Sequence, residues 1–339
     1  MENVIVSEFH EFAFRGEKII FSPQTLSVLT ASPVDQIIFS YAQSSIPVKE
    51  LLNKSSDNGS FTESTIKSRF EQLINGGFLI QSTSAKPAAP QGLPVNCLTC
   101  MVNVSQTCNL KCKYCYVDYG NFAFKEYDCP PIMNEKTAAL IPHFLVNEFP
   151  DVETYALHFY GGEPLLNFAA ISQMVVSLKV LAGQLQKNVE FHITTNGTLI
   201  SEEIAEFFDS NRFNVFLSID GLKRVHDNVR KDISGKGTYQ IVKDNLFLLK
   251  EKKNIHLIGS AVVQNGLGLK QATMALKRLG VDECKIEPVR LMNGNKLCLS
   301  ADEHKQYVEE IGLIGFAYLQ ALKKHQKPFD PRLSSRILQ

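Results

Sequence analysis

The sequence has no excess of either charge: 35 Lys and Arg stand against 35 Asp and Glu. That balance predicts no long-range attraction to nucleic acid or to an anionic membrane, although a small local basic patch stays open. No window approaches the ~18 uninterrupted apolar residues of a membrane span. The opening MENVIVSEFHEF lacks the basic segment and long apolar run of a secretory signal. The expected compartment is therefore the cytoplasm, where thiols stay reduced. Nucleotide-binding loops are missing too. No G-x-G-x-x-G follows a strand pattern: Gly266-Leu267-Gly268 lacks the third glycine, and Gly235-Lys236-Gly237-Thr238 has no glycine five positions before its Gly-Lys pair.

What the chain does have is an apolar fraction of 44% over 339 residues. That is enough for a sizeable core, and for two or three domains at roughly 100–200 residues each. Residues 1–82 read as one unit. Strands over 9–14 and 18–21 meet at Arg15-Gly16. Helical patterns follow at 33–42, 48–53 and 63–75, the last with Thr62 as N-cap and Gly76-Gly77 as its stop. A short strand at 78–80 closes the unit. This order predicts a small winged-helix-like α+β module. Residues 83–96, rich in Pro and Ala, form a linker.

Beyond the linker, strand and helix patterns alternate. Strands are expected at 100–104, 156–160, 190–194, 215–219, 256–262 and 285–289. Helices are expected at 135–148, 168–185, 202–210, 239–252, 269–279 and 301–323, with Pro142 weakening the first. Six β–α repeats define an α/β class, with a parallel sheet and helices outside it. Six are too few for a closed eight-fold barrel, so an open, partial (β/α)6 barrel is expected over 97–300, followed by a C-terminal helix and tail at 301–339.

Eight cysteines in a reducing compartment are not read as a disulfide framework, and their spacing decides their use. Cys108, Cys112 and Cys115 form C-x3-C-x2-C directly after the first expected strand of the repeat. That places them at a C-terminal strand end, where β/α architectures put their chemistry. Cysteine thiolates are the usual ligands of iron–sulfur clusters. Three ligands on a four-iron cube leave one iron open to a reactant, whereas a full set favours a structural role. A zinc site remains an alternative, because Cys97 and Cys100 could complete a four-cysteine set with Cys112 and Cys115. Cys100, Val102 and Val104 share one strand face, so Cys100 also reads as a core residue. Cys129, Cys284 and Cys298 are isolated, and His158, His192 and His256 lie within strand patterns and read as core histidines.

The segment Cys108–Cys115, with Tyr114 just before the last cysteine, resembles the signature of the radical S-adenosylmethionine (SAM) superfamily. It is similar in particular to the SPASM/twitch group, which includes anaerobic sulfatase maturases and peptide-modifying enzymes. The resemblance covers roughly 95–290. It implies a [4Fe–4S] cluster on the three cysteines and SAM on the open iron. Gly161, Gly162, Glu163 and Pro164, after the second strand, resemble the family's contact to the SAM amino group. By the same resemblance Ser218 and Asp220 lie near the SAM ribose, with Asn196 a weaker candidate, and Arg230 grips the SAM carboxylate. Turn chemistry is the alternative reading of the Asn-Gly and Asp-Gly pairs, and a solvated surface position that of Arg230.

The implied chemistry is reductive cleavage of SAM to methionine and a 5′-deoxyadenosyl radical that abstracts a substrate hydrogen. Residues 1–82 resemble the recognition modules of peptide-modifying enzymes, which capture a leader peptide as an added strand. The implied partners are a peptide or protein substrate and a flavodoxin- or ferredoxin-like reductant. SPASM relatives continue into a cysteine-rich region. Here that region is expected to be absent or truncated, because Cys284 and Cys298 are too few for it. Two further readings stay open: a non-catalytic leader-peptide-binding partner, and a zinc-binding regulatory module.

Overall fold

The computed structural model describes residues 3–82 apart from positions 15, 23, 24, 26, 58 and 60, then 96–115, 131–291 and 295–324. Cys129 and most of the expected linker lie outside the described residues. The chain divides into two compact units, Met1–Pro94 and Val95–Gln339.

The first unit runs β1 (Asn3–Val6), β2 (His10–Phe14), β3 (Glu17–Phe21), β4 (Val28–Thr30), α1 (Pro33–Tyr41), β5 (Ile46–Pro47), α2 (Val48–Asp57), α3 (Glu63–Asn75) and β6 (Leu79–Ser82). Its strands form two antiparallel sheets, ordered β5-β1-β6 and β2-β3-β4. The expected hairpin and all three helices are present. β1, β4 and β5 were not anticipated, since two to four residues carry too little periodicity to read. Ser32 and Asp35 cap α1 reciprocally. Asp35 also takes Arg69 of α3 (Nε to Oδ1, 2.6 Å), while Arg69 Nη2 donates to the Thr30 carbonyl at 2.8 Å. One buried carboxylate thereby ties α1, α3 and β4 around a core of Val4, Ile38, Leu51, Ile66, Leu73 and Phe78.

The second unit runs β7 (Cys97–Ser105), α4 (Glu135–Glu148), β8 (Thr154–Gly161), a 3-10 turn (Pro164–Asn167), α5 (Phe168–Gln184), β9 (Asn188–Thr195), α6 (Glu202–Ser210), β10 (Asn214–Ser218), α7 (Lys223–Val229), α8 (Tyr239–Lys250), β11 (His256–Val263), α9 (Leu269–Leu279), β12 (Glu283–Pro288) and α10 (Ala301–Lys323). All six strands are parallel and lie in chain order. Right-handed crossovers are the rule for such neighbours, and they put the connecting helices on one face of the sheet. Sheet and helix boundaries follow the sequence patterns closely; only α7 was not expected.

Side chains alternate across this sheet. Tyr155, Leu157 and Phe159 are fully buried toward the helices, against Ile171, Val175 and Leu178 of α5. α5 with its preceding turn is long and apolar enough to cross a membrane by length and composition alone. Here it is the core helix between β8 and β9. α4 runs through Pro142, whose ring is buried with Ala138 and Leu145 on the helix's inner stripe. Burial there offsets the missing hydrogen bond. Phe213 sits at the centre of an aromatic cluster, with ring centroids of Phe208, Phe191, Phe207 and Phe159 at 4.7, 5.5, 5.9 and 6.1 Å.

Two of the strand histidines pack against each other, with ring centroids 5.7 Å apart. His158 alternates with buried Leu157 and Phe159, so it lies on the opposite face of the sheet, and His192 stands beside it in register. His158 stacks on Phe216 at 5.2 Å and shares a hydrogen bond with Thr194 (2.9 Å). Burial, with smaller contributions from His192 and Lys285, lowers its pKa to about 4.

Phe213→Ala should cost about 3–5 kcal/mol and lower the urea midpoint of the second unit's transition, read by far-UV circular dichroism. The unfolded His158 ring titrates near its ordinary 6.5, so the folded protein loses stability as pH falls from 6.5 through about 4. NMR titration should show this ring neutral at pH 6, and His158→Gln should be less acid-sensitive than the parent.

Candidate active site

In a parallel sheet the C-terminal strand ends share one edge, and β7, β8, β9 and β10 deliver Ser105, Gly161, Thr195 and Ser218 there. The cysteine loop, residues 106–115, leaves the end of β7. It is stitched to a distant strip of chain: Lys111 N donates to Lys231 O (2.7 Å), Lys113 N to Val229 O (2.9 Å), and Leu110 bridges to Asp232. A turn closes the loop where Cys115 N meets Cys112 O at 3.1 Å. Leu110 is its buried anchor.

Three thiols are gathered by this loop, all half-buried. Cys108 Sγ accepts from Leu110 N (3.4 Å) and Asn196 Nδ2 (3.6 Å). Burial pushes the Cys112 thiol up to about 11, with Arg230 pulling the other way and both other cysteines adding repulsion. Burial raises Cys108 also, and Cys115 contributes repulsion there.

Among the described residues, no three His, Cys, Asp or Glu side chains meet closely enough to hold a single metal ion. A cubane spreads its thiolates over separate corners and does not need them to converge on one point. Cys97 stands eight residues before Ser105 on β7, roughly 25 Å down the strand at about 3.3 Å per residue. The four-cysteine zinc set is therefore not assembled. Cys97 is exposed and Cys100 half-buried against the core. Three soft thiol donors on a partly enclosed loop fit an iron–sulfur cluster.

The two glycines also make a close backbone approach of their own. Gly161 has φ +138°, and a Cβ there would lie 2.0 Å from the Ser105 carbonyl oxygen; one on Gly162 would lie 2.3 Å from that of Thr107. Gly162 N and Glu163 N donate to these same oxygens at 2.8 and 2.9 Å. The close approach is to the cysteine loop itself. Glu163, fully buried, accepts from Leu165 N (3.0 Å), Thr195 Oγ1 (2.7 Å) and Asn196 N (2.7 Å). Burial nevertheless lifts it to about 7, because all three donors are neutral. Pro164 opens the 3-10 turn that Glu163 caps. Asn196 Nδ2 also reaches Asn109 Oδ1 at 2.9 Å, so Asn196 touches two residues of the loop.

Ser218, half-buried, ends β10 in register with Ser260. Asp220, fully buried, lies just beyond and accepts from Tyr114 OH (2.5 Å), Arg230 Nε (3.1 Å) and Val262 N (3.0 Å). Arg230 is buried rather than solvated, and its Cζ sits 5.3 Å from the Tyr114 ring centroid. Thr195, His226 and Thr238 belong to this constellation. Thr195 directly precedes the Asn-Gly pair at the end of β9, and His226 and Arg230 are four apart, a helical spacing; Thr238 carries no sequence signal.

Residues 102–278 match the sequence profile of the Radical SAM superfamily. The chain belongs to that superfamily. The cofactors that go with it are SAM and a [4Fe–4S] cluster. Among curated relatives, the chain is 33% identical over 162 residues to a cysteine-type anaerobic sulfatase-maturating enzyme of Clostridium novyi, covering 48% of this chain and 42% of the relative. It is 30% identical over 162 residues to a serine-type anaerobic sulfatase-maturating enzyme of Bacteroides thetaiotaomicron, covering 48% and 38%. The match thus spans about two fifths of these relatives' length. Among solved structures, native anSMEcpe with bound AdoMet superposes with TM-score 0.57 at 22% identity, over 69% of this chain and 63% of that one. This likeness shows a shared fold.

Gly161→Ala should cost roughly 1–3 kcal/mol in backbone conformation alone and push the cysteine loop off β8. Limited proteolysis should then cut faster within 106–115, while the far-UV spectrum stays that of the parent.

Proposed function

We propose that this protein is a radical SAM enzyme that reductively cleaves SAM at a [4Fe–4S] cluster and modifies a peptide or protein after translation. The observation that carries the reading is three thiols on one loop at the C-terminal edge of a parallel sheet. Cys108, Cys112 and Cys115 would hold three irons and leave the fourth to SAM. Once bound, cluster and SAM supply a one-electron cleavage of the sulfonium C–S bond followed by hydrogen abstraction from the substrate.

The chain's own groups do the holding. Glu163 carries a carboxyl that burial keeps near neutrality at about pKa 7. An ammonium group beside it would restore its charge, as the SAM amino group would. Gly161 and Gly162 bring backbone to the same place, and Pro164 fixes the turn that follows. Asn196 borders Cys108, and Ser218 offers a hydroxyl at the next strand end. Asp220 engages only Nε of Arg230, so the terminal guanidinium nitrogens stay suited to a carboxylate. Tyr114 forms a wall beneath that guanidinium.

The named activity of the sulfatase-maturating relatives supports a peptide or protein substrate. Residues 1–82, read as a winged-helix-like module, would bind its leader. β2 and β4 are the outer strands of their sheet, and such edges accept an added strand. A flavodoxin- or ferredoxin-like protein would deliver the electron.

Anaerobic reconstitution should give about four irons per chain, and reduction with SAM should release 5′-deoxyadenosine. Replacing any one of the three cysteines by Ala should abolish that release. A cluster without SAM cleavage would leave a non-catalytic binding partner, and tight zinc without a cluster would leave a regulatory module. Titration of the full chain with small precursor peptides should give saturable binding that substitutions on β2 or β4 weaken; no binding to any precursor would end the leader-peptide reading.

A further inference from the structure

Asp220 lies where the elements around the cysteines meet. Its Oδ1 accepts from Val262 N on β11. Its Oδ2 accepts from Tyr114 OH in the cysteine loop and Arg230 Nε beyond α7. Its own amide donates to His226 Nδ1 (3.3 Å) on α7. The remaining hydrogen bonds fix the tautomer. Thr238 Oγ1 spends its proton on the Arg230 carbonyl (3.1 Å), so it accepts from His226 Nε2 (3.1 Å), and Nδ1 is left as the acceptor that Asp220 N requires. Burial lowers the His226 pKa to about 4, with Arg230 adding to the effect, which keeps this ring neutral. The carboxylate is buried and ion-paired, with three donors on its two oxygens.

The resemblance to relatives places Asp220 beside a ribose. Its oxygens are instead already committed to protein donors from three separate segments. Tyr114 sits between two of the three cysteines, so a constraint on its hydroxyl acts on both. The segment that carries Arg230 is the strip to which Lys111 and Lys113 are zipped by backbone. We infer that Asp220 is a positioning residue: through Tyr114 and Arg230 it locks the cysteine loop into ligating geometry before any cofactor arrives. The inference deepens the proposed function and rests on it only for what the loop finally holds. Because the lock is made of protein groups alone, it must be present in the metal-free chain.

Hydrogen exchange on the full-length, metal-free protein tests this directly. Tyr114→Phe removes one hydroxyl and leaves the Asp220–Arg230 pair in place. It should speed exchange at the Lys111 and Lys113 amides roughly tenfold or more, the loss expected for a hydrogen bond to a charged acceptor, with the Ile219 amide of the sheet unchanged. Asp220→Asn should loosen the same amides further. In protein reconstituted with iron and sulfide, Tyr114→Phe should also alter the electron paramagnetic resonance line shape of the reduced cluster. Parent-like exchange at both loop amides in Tyr114→Phe overturns the inference, as does equal acceleration across the whole sheet. Should Asp220→Asn fail to fold, Tyr114→Phe still decides. If loop exchange responds as stated but the parent chain assembles no cluster, the lock stands and the proposed enzyme does not.

Discussion

The passage of Gly161 and Gly162 beneath the Ser105 and Thr107 carbonyls is the contact from which the rest of the site follows. Hydrogen bonds of 2.8 and 2.9 Å draw β8's end against the cysteine loop, and only the lack of a Cβ permits that separation. With that crossing in place, Glu163 points inward to the ends of β8 and β9, and Asn196 is brought to Cys108. The loop's other flank is held by residues 229–232. Cysteines on an unsupported loop would have no common geometry; here two opposed seams supply it.

The two buried carboxylates of the site have opposite electrostatic fates. Glu163 meets only neutral donors, and desolvation dominates, so its acid form is favoured up to about pH 7. Asp220 faces a guanidinium and stays paired. One is an unmet demand for a cation, and the other is a satisfied internal strut. Burial alone does not separate ligand-binding from structural carboxylates; the charge of the partners does.

Much of this was legible in the sequence where a pattern is local. Period-two and period-3.6 apolar spacing located all six strands of the parallel sheet and every long helix around it. The cysteine spacing marked the loop. What the sequence withheld was non-local. The close contacts of Gly161 and Gly162 are to carbonyls more than fifty residues away. Asp220 and Arg230 looked like separate candidates because nothing in their spacing reveals that they bind each other. β1, β4 and β5 escaped notice because so few residues cannot show a period.

Tyr114 and its anchor Asp220 are 106 residues apart. At ribosomal speeds of about 5–20 residues per second, the cysteines emerge some 5–20 s before the strip that must hold them. During that interval the nascent thiols are an unshaped, oxidisable segment. With a cluster seated on these cysteines, the order of synthesis would make maturation a late event: iron and sulfide would meet the assembled loop only after β10 and α7 have left the tunnel.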